Sequence, residues 1–213
     1  MNSPMRFSSF VVKVASRCNL NCDYCYMYQH ADQSWKSKPK VLSEQHRFMF
    51  IQRLKEYVLL RGQKRILIVF HGGEPLLIGA ENLVVWANQI SNALAEVNCK
   101  VDFGIQTNGV LLKEKYLQEF EKHRISVSLS IDGPKPIHDS HRLDIKSKPT
   151  FDKVYEALLL LNKYPSIFTG CISVIDPNFD PKELFSFFND NKVAEFNILI
   201  PDANYLAPPK GRD

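Results

Sequence analysis

Three cysteines, Cys18, Cys22 and Cys25, fall within eight positions of the stretch CNLNCDYCYMY (18–28), and no fourth lies nearby. Cys-x3-Cys-x2-Cys spacing lets one compact loop aim three thiolates at a common centre. Structural metal sites close their shell with four ligands, whereas three leave a position open for another molecule. Two chemistries stay open at this level. One is an iron–sulfur cluster with a free iron, since such clusters are held by thiolates. The other is a zinc site completed by a remote ligand such as His30 or His71. Cys99 and Cys171 stand alone beside apolar runs and read as buried small hydrophobes. Five cysteines, an odd number with three clustered, suit metal ligation in a reducing compartment better than a disulfide framework.

Other short motifs could accompany the thiols. In HGGEP (71–75), Gly72 and Gly73 permit close backbone approach and Pro75 stiffens the turn. QTNG (106–109) contains Asn108-Gly109, a common turn pair, which makes Gln106 the better candidate for chemistry. SIDGP (130–134) carries Ser130 and Asp132, the latter also readable as a turn residue before Gly133. Arg142 in HDSHR, taken by itself, reads as a solvated loop arginine. His138 and His141 read as loop residues, and Tyr26 and Tyr28 as packing or as one wall of a substrate site.

An alternation of strands and helices must position these groups. FVVKVA (10–15), RILIVF (65–70), KVDFGIQT (100–107), ISVSLSI (125–131), FTGCISVI (168–175) and AEFNILI (194–200) are strand-like. Helical periods fill the intervals at 43–62, with Ser43 as N-cap and Gly62 as stop, and after the second strand, with Leu83, Ala87, Ile90, Leu94 and Val97 on one stripe. Three more follow at 113–123, 151–164 and 180–191, the last with Asp180 as N-cap and Pro181 at the first helical position. Six strands alternating with five helices imply parallel β-α units with right-handed crossovers. The expected fold is α/β, a partial (β/α)6 barrel of the TIM type, in one domain spanning 1–213. Residues from about 205 read as the start of a linker. In such folds functional groups collect at the carboxyl ends of the strands, and the cysteine loop and the motifs at 71–75, 106–109 and 130–134 all follow strands.

Composition narrows the class. With 213 residues, 45% apolar and 23% charged, the chain can bury a full core. Its net charge of +4 comes from lysines and acids spread throughout, with no basic stripe to suggest nucleic acid. No apolar run approaches the roughly 18 residues of a membrane span, and the N-terminal stretch lacks a signal peptide's apolar core. A cytoplasmic location is expected.

The cysteine loop resembles the cluster signature of the radical S-adenosylmethionine (SAM) enzymes, C-x3-C-x2-C with an aromatic, here Tyr24, before the third cysteine. GGEP (72–75), QTNG (106–109) and SIDGP (130–134) continue the resemblance in the family's order, across essentially the whole chain. The resemblance implies a 4Fe–4S cluster on Cys18, Cys22 and Cys25 and SAM bound at the open iron. It also implies reductive cleavage of SAM to a 5′-deoxyadenosyl radical that abstracts hydrogen from the substrate. Cofactor contacts are implied for Tyr24, Gly72, Gly73, Glu74, Pro75, Gln106, Ser130, Asp132 and Arg142. Among these, Glu74 accepts from the SAM ammonium or only anchors its loop, and Arg142 pairs with the SAM carboxylate. Val174 and Leu199, at the ends of strands five and six, would complete an adenine pocket.

Within the family, the details resemble peptide-modifying maturases with a C-terminal SPASM extension, including cyclophane-forming maturases of ribosomal peptides and anaerobic sulfatase-maturating enzymes. Their partners would be a peptide or protein substrate, an electron donor such as flavodoxin or ferredoxin, and a separate SPASM-like chain. No cysteine follows Cys171, so one cluster is expected. A truncated core that binds cluster and SAM without turnover, and a zinc-binding interaction module, remain the alternatives.

Overall fold

The computed structural model describes residues 5–206 and 208. Six strands form one sheet: β1 (Ser9–Ala15), β2 (Arg65–Gly72), β3 (Lys100–Thr107), β4 (Ile125–Ser130), β5 (Phe168–Val174) and β6 (Phe196–Leu199). Every neighbouring pair is parallel, and the spatial order is the sequence order, β1 to β6. Each crossover therefore steps the same way. Right-handed crossovers that never reverse direction put their helices on one face of the sheet and curl the other face inward. β1 and β6 do not pair with each other, so the barrel is open, as the sequence pattern implies.

The helices are α1 (Glu44–Arg61), α2 (Ala80–Ala95), α3 (Glu114–Lys122), α4 (Lys135–His141), α5 (Phe151–Leu161) and α6 (Pro181–Asp190). Local chemistry sets their ends. Ser43 Oγ accepts from the His46 N–H at 3.3 Å, and Gly62, at φ +61°, donates back to the Leu59 carbonyl. Asp180 Oδ1 accepts from the Lys182 N–H at 2.8 Å, with Pro181 at the first helical position.

α4 was not expected. Seven residues carry no readable apolar period, and Pro134 and Pro136 at its start suggest a loop. Val97 likewise falls beyond α2 rather than on its stripe.

Alternation divides each strand between two environments. Val12, Val14, Ile66, Ile68, Phe70, Phe103, Ile105, Ile125, Val127 and Leu129 are buried in the core that the helices cover. Trp86 of α2 stacks on Phe70 at 5.2 Å and locks the α2 layer to β2. On β2 the alternate residues are Leu67, Val69 and His71, whereas on β3 and β4 they are small or polar: Gly104, Gln106, Ser126, Ser128 and Ser130. Such side chains leave room on the concave face instead of filling it. The exposed edge of β1 is partly covered by residues 40–42, where Leu42 donates to the Val14 carbonyl and Ser16 to that of Lys40, both at 3.0 Å.

Among the described residues no helix is long and apolar enough to cross a membrane. The linker expected from about 205 falls mostly outside the described residues.

Candidate functional site

The cysteine loop leaves β1 at Ala15 and is fastened to the carboxyl ends of β2, β3 and β4 in turn. The first fastening is backbone. Gly73 donates to the Ala15 carbonyl at 2.9 Å and Glu74 to that of Arg17 at 3.0 Å. A Cβ on Gly72 would stand 2.3 Å from the Ala15 oxygen, and one on Gly73 2.2 Å from the Arg17 oxygen. These glycines are therefore required by the chain that carries the cysteines, whereas the sequence reading invoked the approach of a ligand. Pro75 opens a short 3-10 turn, Pro75–Ile78, under the same loop.

Glu74 is the second fastening. It is 1% exposed, and its carboxylate accepts three hydrogen bonds. Oε1 takes the Leu76 N–H at 2.9 Å and the Thr107 hydroxyl at 2.8 Å, while Oε2 takes the Asn108 N–H at 2.8 Å. Burial pushes its carboxyl up to about 7, against the pull of those donors. Of the two roles open from sequence, the geometry gives Glu74 that of an anchor between the ends of β2 and β3.

Asn108, set below Gln106 in the sequence reading, lies closest to the thiols. Its Nδ2 donates to Cys18 Sγ at 3.6 Å and to Asn19 Oδ1 at 2.9 Å. With the Leu20 N–H at 3.4 Å it gives the Cys18 sulfur two donors. Burial pushes the Cys18 thiol up to about 12 despite the Leu20 donor, and raises Cys22 as well. Metal binding must therefore displace protons here. Gln106 is turned to β4 instead, donating to Ser130 Oγ at 2.8 Å.

The third fastening joins the loop to the end of β4. Asp132, with no exposed side-chain surface, accepts from the Tyr24 hydroxyl, from the Val174 N–H at 3.0 Å and from Arg142 Nη1 at 3.4 Å. Arg142 Nη1 also donates to the Tyr24 oxygen at 2.7 Å. Asp132 is thus a buried junction of three segments, and its carboxylate is spent on protein donors. Arg142 is buried too, and its Nε finds no acceptor among the described residues. Burial works against its charge, but Tyr24, Asp132 and Cys22 outweigh it and hold the guanidinium protonated. Leu199 sits half-exposed at the end of β6.

The two histidines are not loop residues: both lie in α4. His138 is fully buried. Its Nδ1 faces the Asp132 N–H at 3.4 Å and its Nε2 the Thr150 hydroxyl oxygen at 3.1 Å. Thr150 Oγ1 in turn donates to the Arg142 carbonyl. That chain of donors makes His138 a neutral Nε2–H tautomer. Burial, with the Arg142 charge, pushes it down to about 2. Arg17, also missed, grips the far side of the loop, donating to the Trp35 carbonyl at 2.7 Å and that of Lys36 at 3.1 Å. Tyr28 stacks edge-on against Trp35 at 4.8 Å, while Tyr26 is exposed beneath the Lys13 ammonium at 4.8 Å. An arginine beside a cysteine loop was the available signal for Arg17; nothing in the sequence marked the histidines.

Among the described residues no three His, Cys, Asp or Glu side chains are gathered closely enough to hold a single metal ion. His71 Nδ1 accepts from the Gly72 N–H, and His30 Nδ1 faces Asn204 Nδ2. Cys18, Cys22 and Cys25, carried by one loop, are the ligand type that iron–sulfur clusters take.

A parallel, open α/β barrel with three thiols in its first crossover loop defines a class of metal-dependent barrel enzymes. The chain belongs to the Radical SAM superfamily, whose family model matches residues 12–188. The family's cofactors are a 4Fe–4S cluster and SAM. The chain is 32% identical over 182 residues to a serine-type anaerobic sulfatase-maturating enzyme of Bacteroides thetaiotaomicron, covering 84% of this chain and 42% of that one. It is 31% identical to a cysteine-type counterpart of Clostridium perfringens strain 13, covering 91% and 52%. The chain thus spans about half the length of these relatives. The fold superposes on native anSMEcpe with AdoMet and the Cp18Cys peptide bound at a TM-score of 0.77 and 25% identity, covering 92% of this chain and 53% of that one. Methylornithine synthase shares the fold alone, at a TM-score of 0.65 and 12% identity.

Proposed function

We propose that this chain is the radical-generating core of a peptide-modifying enzyme, with Cys18, Cys22 and Cys25 as the cluster ligands. The observation that carries the reading is the triple fastening of the cysteine loop, which brings the motif segments of four strands to one rim. When bound, the reduced cluster and SAM supply a 5′-deoxyadenosyl radical able to take a hydrogen atom from a side-chain carbon.

The chain's own residues supply the rest. Asn108 and the Leu20 N–H stabilise the Cys18 thiolate. The Arg142 guanidinium, with an N–H to spare, suits the SAM carboxylate. Gln106 and Ser130, paired on the concave face, suit the ribose hydroxyls, and the backbone near Val174 and Leu199 the adenine. Tyr24 and Asp132 act by holding Arg142 in place. The small polar residues of β3 and β4 leave space for an extended substrate, and Lys13 and His71, paired in register on β1 and β2, flank it. A peptide substrate is supported by the likeness to sulfatase-maturating enzymes and by the peptide in the anSMEcpe complex.

The test is anaerobic reconstitution with iron and sulfide, followed by reductant and SAM. About four irons per chain and release of 5′-deoxyadenosine are expected, both lost in Cys22→Ala. A full cluster without 5′-deoxyadenosine would sink the catalytic reading. Zinc without iron or sulfide would favour the zinc module. A mass change in a cysteine- or serine-containing peptide separates a working maturase from a core that only cleaves SAM.

A further inference from the structure

The cysteine loop carries a fourth fastening that none of the motifs announces. His141, the last residue of α4, has a carboxylate on each ring nitrogen. Its Nδ1 lies 3.0 Å from both oxygens of Asp23, which sits between Cys22 and Tyr24, and its Nε2 lies 2.8 Å from Asp176 Oδ2. Asp176 follows the end of β5 and is itself held, Oδ1 accepting from the N–H and the Nδ2 of Asn178 at 2.9 and 2.8 Å. Since carboxylates only accept, both ring nitrogens must carry hydrogen, so the bridge is an imidazolium between two anions. The backbone runs alongside. Asp23 donates to the His141 carbonyl at 3.2 Å, Asn21 to that of Leu143 at 2.8 Å, and Leu20 bridges Asp144 in antiparallel fashion. Residues 141–144 therefore form a splint along 20–23. The Tyr24 ring, 5.8 Å from the imidazole, and the neighbouring Arg142 complete its surroundings.

We propose that His141 is a positioning residue: by bridging Asp23 to Asp176 it pins the Cys22–Cys25 half of the cysteine loop to the end of β5. The fastenings through Ala15, Arg17 and Cys18 act before this half; within it the Tyr24 side chain ties to Asp132 and Arg142, and the bridge adds the tie to β5. Without the bridge, Asp23 has only the backbone splint to hold it. The relevance of this pinning to a cluster rests on the proposed function, but the pinning itself does not.

The experiment separates the two. Hydrogen exchange on the metal-free chain compares wild type with His141→Ala, His141→Gln, Asp176→Asn and the Ala/Asn double variant. His141→Ala should speed exchange of residues 20–25 about tenfold while β3 stays protected. Asp176→Asn keeps an accepting oxygen but loses the charge, so it should speed the same exchange less and add nothing to His141→Ala, because both act on one bridge. His141→Gln keeps one donor and should fall between. Unchanged exchange at 20–25, additive effects of the two substitutions, or an equal loosening of β3 would each overturn the proposal. Asp176→Asn leaves α4 intact and keeps the test decisive if His141→Ala does not fold. On reconstituted protein, His141→Ala should release iron to a chelator about tenfold faster and broaden the electron paramagnetic resonance signal of the reduced cluster, with partial rescue by His141→Gln. A wild type that takes up no iron and sulfide defeats the cluster reading while the exchange result still judges the bridge.

Discussion

Glu74 and His138 are two buried titratable groups whose environments push them in opposite directions. Glu74 holds three donors in place, so Glu74→Ala leaves Leu76, Thr107 and Asn108 unsatisfied. It should cost about 3 kcal/mol in urea unfolding of the metal-free chain; a change below 1 kcal/mol would contradict the anchor role. His138 is buried neutral, held near 2 in the folded chain against 6.5 when unfolded. A depressed folded value contributes stability that is present above pH 6.5 and lost as pH falls, by about 1.4 kcal/mol per unit. Glu74, raised from 4.5 to about 7, runs the other way, its contribution being lost as pH rises through that window. The difference between wild type and His138→Asn cancels the Glu74 contribution. Between pH 6.5 and 5, wild type should lose about 2 kcal/mol relative to the variant; parallel curves would refute a neutral His138. The sequence left Glu74 between two roles and read His138 as a loop residue, because burial and hydrogen-bond partners decide them, and partners such as Thr107 and Thr150 lie in other segments.

Elements were easier to read than residues. Each long strand and helix appeared within a few residues of its place, since periodicity and the caps Ser43, Gly62 and Asp180 are local signals. α4 escaped because seven residues with two prolines near the start offer no period. At the turn after β2, Gly73→Ala should displace the loop, as its Cβ would meet both the Arg17 carbonyl and the Tyr28 hydroxyl. The same substrate-free chain should melt several degrees lower, and Tyr28→Phe should recover only part of the loss, because the carbonyl cannot move aside. Alone, Tyr28→Phe removes a buried hydroxyl that finds no partner among the described residues and should leave stability unchanged or raise it by up to about 1 kcal/mol.

At the scale of the whole molecule, strand order matters most. Sequential parallel pairing without closure leaves β6 paired on one side, with Ile198 and Leu199 half-exposed, while β3 is paired on both. Amides of β6 should therefore exchange well ahead of those of β3 by at least a hundredfold, about 3 kcal/mol in local opening; equal protection would mean the edge is closed in solution. The same open order converts four separate loops into one rim and leaves the small polar residues of β3 and β4 beside it.

The cysteine spacing, the glycine-rich turns and the alternation of strand and helix were all written in short windows of sequence, and from them came the family, the parallel barrel and its two cofactors. Which side chain carries which load was decided only by folding. Glu74 became an anchor, Asp132 a buried junction, Asn108 a donor to sulfur and His141 a bridge, because each takes its meaning from a partner 33 to 118 residues away. Spacing along the chain encodes what can form locally; desolvation and charge pairing depend on what the crossovers bring together.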